Sequence, residues 1–425
     1  MVTQKMLCRA VRNGEWDKTF TELYGKENIS VARARFITLA ERHAERFGMR
    51  EVAVFRAPGR VELGGNHTDH QHGLVLAASV SADILAVVSC NGEQTVRVIS
   101  EGFPDTAVVL KDLEPREEER GSTAALVRGC AAGMAQRGRM PHGFDACITS
   151  DIPAGSGLSS SAAFEVLIAG MLAAFDGGGT LLPVTLAQIG QYAENVYFGK
   201  PCGLMDQCAS AAGGVVQIDF AVPSSPDITA VPFDIAACGY VVCAIDSGAG
   251  HAELTDAYAP IPEELAHISA FFGKTVLREV EEAAFYKNLP VLRKVAGDRA
   301  VLRAMHVFEE NHRVLAEVRA LQESNFPAFL QLVCASGESS ALYLQNITPC
   351  GAVREQALAF TLAVCRRALS GGGACRVHGG GFAGAALAFV PSGQLETFRT
   401  DVERMLGYDA CRVLRLCDRG FVRLM

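Results

Sequence analysis

Four stretches concentrate the residue types that do chemistry. The first, Asp151-Ile-Pro-Ala-Gly-Ser-Gly-Leu-Ser-Ser-Ser-Ala-Ala163, carries Pro153, two glycines and four serines. Glycines let backbone N–H groups approach an anion, and a helix N-terminus adds unpaired donors and the positive end of a dipole. That composition suits a phosphate cradle. It is not a Walker A loop, because no Gly-Lys-Ser/Thr follows. The plain alternative is a Gly/Ser turn capped by serine.

The second stretch, Arg56-Ala-Pro-Gly-Arg-Val-Glu-Leu-Gly-Gly-Asn-His-Thr-Asp-His-Gln-His-Gly73, crowds polar groups just after an apolar strand, where binding residues collect. One chemistry is a metal site from His67, Asp69, His70 and His72, although the spacing matches neither H-E-x-x-H nor a zinc finger. The other is a hydroxyl-rich ligand, which suits carboxylate, imidazole and amide groups together. A polar surface loop is the plain alternative.

The third, Tyr192-Ala-Glu-Asn-Val-Tyr-Phe-Gly-Lys-Pro-Cys-Gly-Leu-Met-Asp-Gln207, places Glu194 on a helix and Asp206 beyond a Pro/Gly turn. Asp206 sits amid Leu204, Met205, Cys208 and Ala209, a partly desolvated setting that favours a functional acid over a helix N-cap. The fourth, Arg376-Val-His-Gly-Gly-Gly-Phe-Ala-Gly-Ala-Ala-Leu387, sets three glycines before an apolar run, which allows close backbone packing. A flexible loop is its plain alternative.

The elements that must position these stretches alternate between strand and helix. Gly143–Thr149 alternates like a strand and enters the serine-rich stretch, and Ala162–Phe175 is apolar on nearly every face, as in a buried helix. Residues 1 to 50 are helical in pattern, and Gly48 stops the stripe of Phe36, Leu39, Ala40, His43 and Phe47. Val52–Phe55 is a short strand broken at Pro58 and Gly59. Strands are also expected at 74–76, 81–89, 95–100, 215–220 and 239–245, and around Phe389 and Val413. Leu186–Tyr197 should be helical, as should Glu263–Tyr286, Ala300–Glu323 and Val353–Leu369. Ala221-Val-Pro-Ser-Ser-Pro-Asp227 has the composition of a linker. This mixture is that of two α+β domains.

The 425 residues suffice for a large core, and 49% hydrophobic with 20% charged residues is a globular composition. The net charge of −8, with no basic tract, argues against a nucleic-acid partner but not against a phosphate ligand. The first ten residues lack the apolar core of a signal peptide, and the run at 166–175 is too short to span a bilayer. Fourteen scattered cysteines without a C-x-x-C pair fit reduced thiols, so a cytoplasmic location is expected.

In order, these stretches resemble the galactokinase branch of the GHMP small-molecule kinases. Pro153 to Ala163 matches that family's P-x-x-x-G-L-S-S-S-A-A motif in full. Gly59 to Asp69 resembles its G-R-V-N-L-I-G-E-H-T-D sugar signature, Pro201–Gln207 its catalytic segment and Gly379–Phe382 its carboxy-terminal glycine motif. Ser247-Gly-Ala-Gly-His251, followed by Tyr258, resembles a segment that ends in a sugar-contacting tyrosine.

The resemblance implies an α+β, two-lobed fold with the active site in the inter-lobe cleft. Residues 1–225 would form the lobe with the sugar signature and phosphate loop, and 226–425 the lobe with the glycine motif. It further implies ATP- and Mg²⁺-dependent phosphorylation of the anomeric C1 hydroxyl of a monosaccharide. Galactose is the first choice, and a related pyranose or uronic acid the second. By the same resemblance Asp206 and Arg60 are catalytic, and Asn66, His67, Asp69, Gly203 and Tyr258 contact the sugar. Gly155, Ser156, Gly157, Leu158, Ser159 and Ser160 wrap ATP, while Ser161 and Glu194 hold Mg²⁺. The oligomeric state stays open, a monomer among the options. A non-catalytic sugar and ATP sensor is the rival from another class, and the retained Arg60, Glu194 and Asp206 favour the enzyme. The chain departs from the pattern at Glu62 (asparagine in the family), Gly64 (isoleucine), Asn66 (glutamate), His70 (aromatic) and Gly250 (basic), and lacks the arginines that usually follow the tyrosine.

Overall fold

The structure is a computed structural model and describes residues 2–153, 157–250 and 255–425. Its first sheet contains β1 (Val2–Thr3), β2 (Glu51–Gly64), β3 (Leu74–Cys90), β4 (Thr95–Ser100), β5 (Thr106–Val109), β6 (Phe144–Ser150), β7 (Val215–Asp219) and β8 (Asp227–Ala230). Val422–Arg423 returns from the far end of the chain to pair with β2. The second sheet is antiparallel in the order β10 (Ala374–His378), β11 (Ala385–Pro391), β9 (Tyr240–Asp246), β12 (Cys411–Leu414).

The long strands β2 and β3 form the spine of the first sheet. Side chains alternate across a strand, and both faces of β2 are covered, so nearly every residue is buried. Val52 and Val54 pack with Phe20, Phe36 and Leu39 of the N-terminal helices. Ala53, Phe55 and Ala57 share the opposite core with Val166, Leu167 and Met171 of the helix Ser160–Phe175. One end of β3 (84–90) pairs with β6 and the other (74–78) with β7.

Pro58 and Gly59 do not end β2, as the sequence suggested; the strand runs on to Gly64 with register shifts at Pro58/Arg60 and Glu62/Gly64. Such bulges re-aim a strand, and here Arg60 N donates to Leu158 O at 3.1 Å, a carbonyl of the serine-rich loop. The phosphate-loop candidate is thus tied to the start of the sugar signature. Likewise the two strands expected at 74–76 and 81–89 are one, β3.

The helix expected over Glu263–Tyr286 is broken into Pro260–Phe271 and Glu282–Lys287, with Gly273 at positive φ between them. The segment Ala221–Pro226 turns β7 into β8, and both lie in the first sheet. A division at 225/226 therefore falls inside a hairpin; the chain leaves this sheet after Val231, which still bonds Val215, and returns at Leu416, which bridges Val80, and then at Val422. In the second half, the helix Asp298–Gln322 inserts Val314, Val318 and Leu321 into the same core as β2 and β3. No helix among the described residues is long and apolar enough to cross a membrane. All fourteen cysteines are free thiols.

Candidate active site

Arg60 lies just past the bulge of β2, and Asp206 lies in the first turn of the helix Met205–Ala212. That helix is capped at Leu204, so Asp206 is not its N-cap and its carboxylate is free to meet Arg60. Arg60 Nε reaches Oδ1 at 2.6 Å and Nη2 reaches Oδ2 at 2.8 Å, a charge-assisted fork. Ser159 Oγ donates to the same Oδ2. Burial raises the Asp206 pKa, but Arg60 and Ser159 outweigh it and hold the carboxyl below its ordinary range. Its side chain still keeps 31% of its surface open, facing a cavity of about 740 Å³.

The serine-rich loop forms one wall of this cavity. Ser159 caps the helix Ser160–Phe175 in the left-handed conformation, φ 57° and ψ 61°. Leu158 is fully buried in the main core and anchors the loop by its side chain, and the carbonyls of Gly157 and Leu158 accept from Arg60. Ser161 Oγ lies 3.3 Å from Glu194 Oε1, and the Lys200 ammonium lies 3.3 Å from that same oxygen. Glu194 sits on a π-helical turn, Ala193–Phe198, rather than in a regular helix.

Opposite lie groups suited to hydroxyls. His67, at φ 60°, meets Gly380 O through Nε2 at 2.9 Å. Burial pushes its pKa down to about 3, so the ring is neutral, Nε2–H is the donor and Nδ1 is left as an acceptor. Tyr258 Oη lies 2.9 Å from His70 Nε2, and its ring centre 5.0 Å from that of His67. Gly203 presses on Asp69: a Cβ there would fall 1.8 Å from Asp69 Oδ2. His67 and His70 are thus engaged by separate protein partners. Among the described residues no group of three or more His, Cys, Asp or Glu side chains could hold a metal ion, which leaves the zinc reading of 67–72 without support.

Of the expected site residues, Arg60, His67, Asp69, Gly157, Leu158, Ser159, Ser160, Ser161, Glu194, Gly203, Asp206 and Tyr258 all line the one cavity. Gly155, Ser156 and His251 lie outside the described residues. Asn66 departs from the expectation. It is wholly buried, it does not line the cavity, and Glu62 does.

Two further groups were missed. His378, at the end of β10, lines the cavity and lies 3.4 Å from Arg60 Nη1 through Nε2. Burial, then Arg60 and Arg376, push it down to about 3, so it stands as a neutral acceptor behind Arg60. Its place beside the glycine motif was the available signal. Glu165 is buried beneath Glu194, its pKa pushed far up by burial and then by that neighbour. Gln207 bridges the two carboxylates, at 2.9 Å to Glu165 and 3.1 Å to Glu194. Glu165 sits in an otherwise apolar helix, a signal that went unused.

The arrangement sets an ionised carboxylate, gripped by a guanidinium, beside a serine-rich helix start and a set of groups that can bond hydroxyls. It can take up a proton at the carboxylate and balance negative charge beside it.

Comparison with known proteins agrees with this geometry. The family model for the GHMP kinases N terminal domain matches residues 125–214, and the galactokinase galactose-binding signature matches 41–90. The galactokinase of Actinobacillus pleuropneumoniae serotype 3 is 31% identical over 362 residues, covering 84% of this chain and 90% of that protein. The Streptomyces coelicolor galactokinase is 32% identical over 375 residues, covering 86% and 92%. Among solved structures, Lactococcus lactis galactokinase complexed with galactose superposes with a TM-score of 0.78 at 25% identity, covering 90% of this chain and 98% of that one. Methanococcus jannaschii mevalonate kinase, at 13% identity and a TM-score of 0.60, shares the fold. The chain belongs to the galactokinase branch of the GHMP kinases, phosphotransferases with a hydroxyl acceptor.

Proposed function

We propose that the protein transfers the γ-phosphoryl group of ATP to the anomeric hydroxyl of a hexose, galactose first, giving the sugar 1-phosphate. One observation carries this reading: the Asp206 carboxylate, held in the Arg60 fork, lies where the serine-rich loop and the hydroxyl-binding wall converge. The galactokinases named above, similar along most of their length, support the choice of sugar.

Phosphoryl transfer asks little covalent chemistry of a protein, so positioning and charge neutralisation carry most of the rate. Asp206 orients the C1 hydroxyl and accepts its proton as the oxygen bonds to the γ-phosphorus and the bond from that phosphorus to the β,γ-bridging oxygen breaks, releasing ADP. A carboxylate with a lowered pKa is a weak base, so the proton moves late, when the attacking oxygen has become acidic. Arg60 fixes that carboxylate and balances charge on the group in transit. His67, Asp69 and Tyr258 hold the other hydroxyls, and the backbone of 157–160 faces the phosphates.

Ser161 and Glu194 fit a hard cation: two oxygen donors lie 3.3 Å apart, and Lys200 balances the carboxylate on the same side. Bound there, Mg²⁺ would neutralise phosphate charge. The free thiols and the lack of basic tracts support a cytoplasmic small-molecule enzyme without a nucleic-acid partner.

The test is a panel of hexoses and uronic acids with ATP and Mg²⁺, reading phosphate position by NMR. A C1 phosphate on galactose is expected. ATP and sugar binding without turnover of any sugar would instead indicate a sensor.

A further inference from the structure

Glu62 and Asn66 touch each other, and they face different things. Asn66 is wholly buried and its amide is fully used: Nδ2 donates to Glu62 Oε1 at 3.0 Å and Gly379 O at 2.8 Å, and Oδ1 accepts from Asn346 at 2.9 Å and Ser340 at 3.2 Å. It has nothing left to offer a ligand. Glu62 lines the cavity. Its Oε1 is taken by Asn66 and by the buried Arg376 guanidinium, whose Nη1 also donates to Leu63 O at 3.0 Å. Its Oε2 has no protein partner among the described residues and is not sealed from the cavity. A buried acceptor with an open lone pair beside a ligand cavity calls for a donor from the ligand.

The neighbouring departure belongs to the same construction. A Cβ at Gly64 would lie 1.8 Å from Glu317 Oε2, so the side chain on the 298–322 helix takes the space an isoleucine would need. From that helix Glu310 Oε1 accepts from Gly65 N at 3.1 Å, and His306 Nε2 meets Asn66 O at 2.9 Å. The 62–66 segment is thereby held from below, with the carboxylate presented from strand β2 and the amide turned into the protein.

We propose that Glu62 is a specificity-determining residue of the acceptor-sugar site, accepting a hydrogen bond from one sugar hydroxyl through Oε2, with Asn66 and Arg376 as positioning residues. This rests on the hexose kinase reading above and deepens it. With Glu62 and Asp69 both at the cavity and Arg376 already paired, the site favours a neutral hexose over a uronic acid above the Glu62 pKa, which burial pushes up to about 7 against Arg376 and Arg60, because a sugar carboxylate would then meet two carboxylates.

The test measures KM and kcat for galactose, its 2-, 3-, 4- and 6-deoxy derivatives and galacturonate, with the wild type, Glu62→Gln and the double exchange Glu62→Asn/Asn66→Glu. In the wild type, loss of one particular hydroxyl should raise KM about 10- to 100-fold, the scale of a hydrogen bond to a charged group, and galacturonate should be a far poorer substrate. Glu62→Gln should raise the galactose KM by a similar factor with kcat within about threefold, and that same deoxy sugar should then lose nothing further. The double exchange should also lose sensitivity to that hydroxyl. Equal KM values for galactose and every deoxy sugar in the wild type, galacturonate used as well as galactose, or unchanged KM in both variants would overturn the inference alone. Absence of wild-type turnover with any hexose would overturn the kinase reading and this inference with it.

Discussion

Arg60 grips Asp206 with two prongs, Nε on Oδ1 and Nη2 on Oδ2, at 2.6 and 2.8 Å. The fork fixes the direction in which the carboxylate faces the cavity, which a single point charge would not do. Lysine keeps the charge and loses the fork. Arg60→Lys should therefore lower kcat about 100-fold while changing the KM for ATP by less than about threefold. Steady-state kinetics check this, and an equal loss through KM alone would count against the positioning role.

Gly203 owes its identity to Asp69. A Cβ at 203 would sit 1.8 Å from Asp69 Oδ2, so the chain or the carboxylate must move. Overpacking of this kind costs about 1–3 kcal/mol, which appears as a rise of about 10- to 100-fold in the sugar KM for Gly203→Ala if Asp69 is the group displaced. The nucleotide KM should stay within about twofold, because the serine-rich loop is untouched.

Among the described residues Glu194 is the carboxylate in hydrogen-bond contact with Ser161 in the cavity wall. Glu194→Gln keeps the shape and removes the charge. The Mg²⁺ concentration needed for half-maximal activity should rise about tenfold or more, measured by titrating ADP formation against free Mg²⁺. An unchanged titration would assign the cation to other ligands.

Glu317 and Glu310 lie on one buried face of the 298–322 helix and titrate in opposite directions. Burial and then Glu310 push Glu317 far up, and among the described residues neither of its oxygens has a hydrogen-bond partner. Burial also acts on Glu310, but His306, Arg313 and Arg376 outweigh it and pull it down to about 2. The folded protein therefore keeps a proton on Glu317 that the unfolded chain releases above about pH 4.3, and that contribution to stability falls as pH rises. Thermal melts of Glu317→Gln should match the wild type near pH 5 and exceed it at pH 8. A wild-type advantage that grows with pH would contradict this.

Much of the site was legible because its residues lie in short contiguous motifs. The serine-rich loop, Asp69 and Asp206 stand out by residue type and setting, Arg60 by the family resemblance, and they meet in one cavity. The register of β2 was not legible. Pro58 and Gly59 usually end a ladder, and only contact with Leu158 O explains why the strand bulges and continues. The helix Phe326–Ser339 passed unnoticed, although Asn325 caps it through Ala328 N at 3.2 Å and Pro327 stands in its first turn. The split of roles between Glu62 and Asn66 depends on Arg376, more than 300 residues away, and on helix 298–322. Local pattern carries no information about partners so distant. The same holds for His378 behind Arg60.

We infer that the ionised Asp206 carboxylate takes the proton of the sugar hydroxyl. Asp206→Asn keeps the shape of the side chain and removes the base. Turnover of galactose should fall about 10³-fold or more, with ATP and galactose still binding within about fivefold of the wild-type affinities by calorimetry. Near-normal turnover in this variant, with binding intact, would contradict the account.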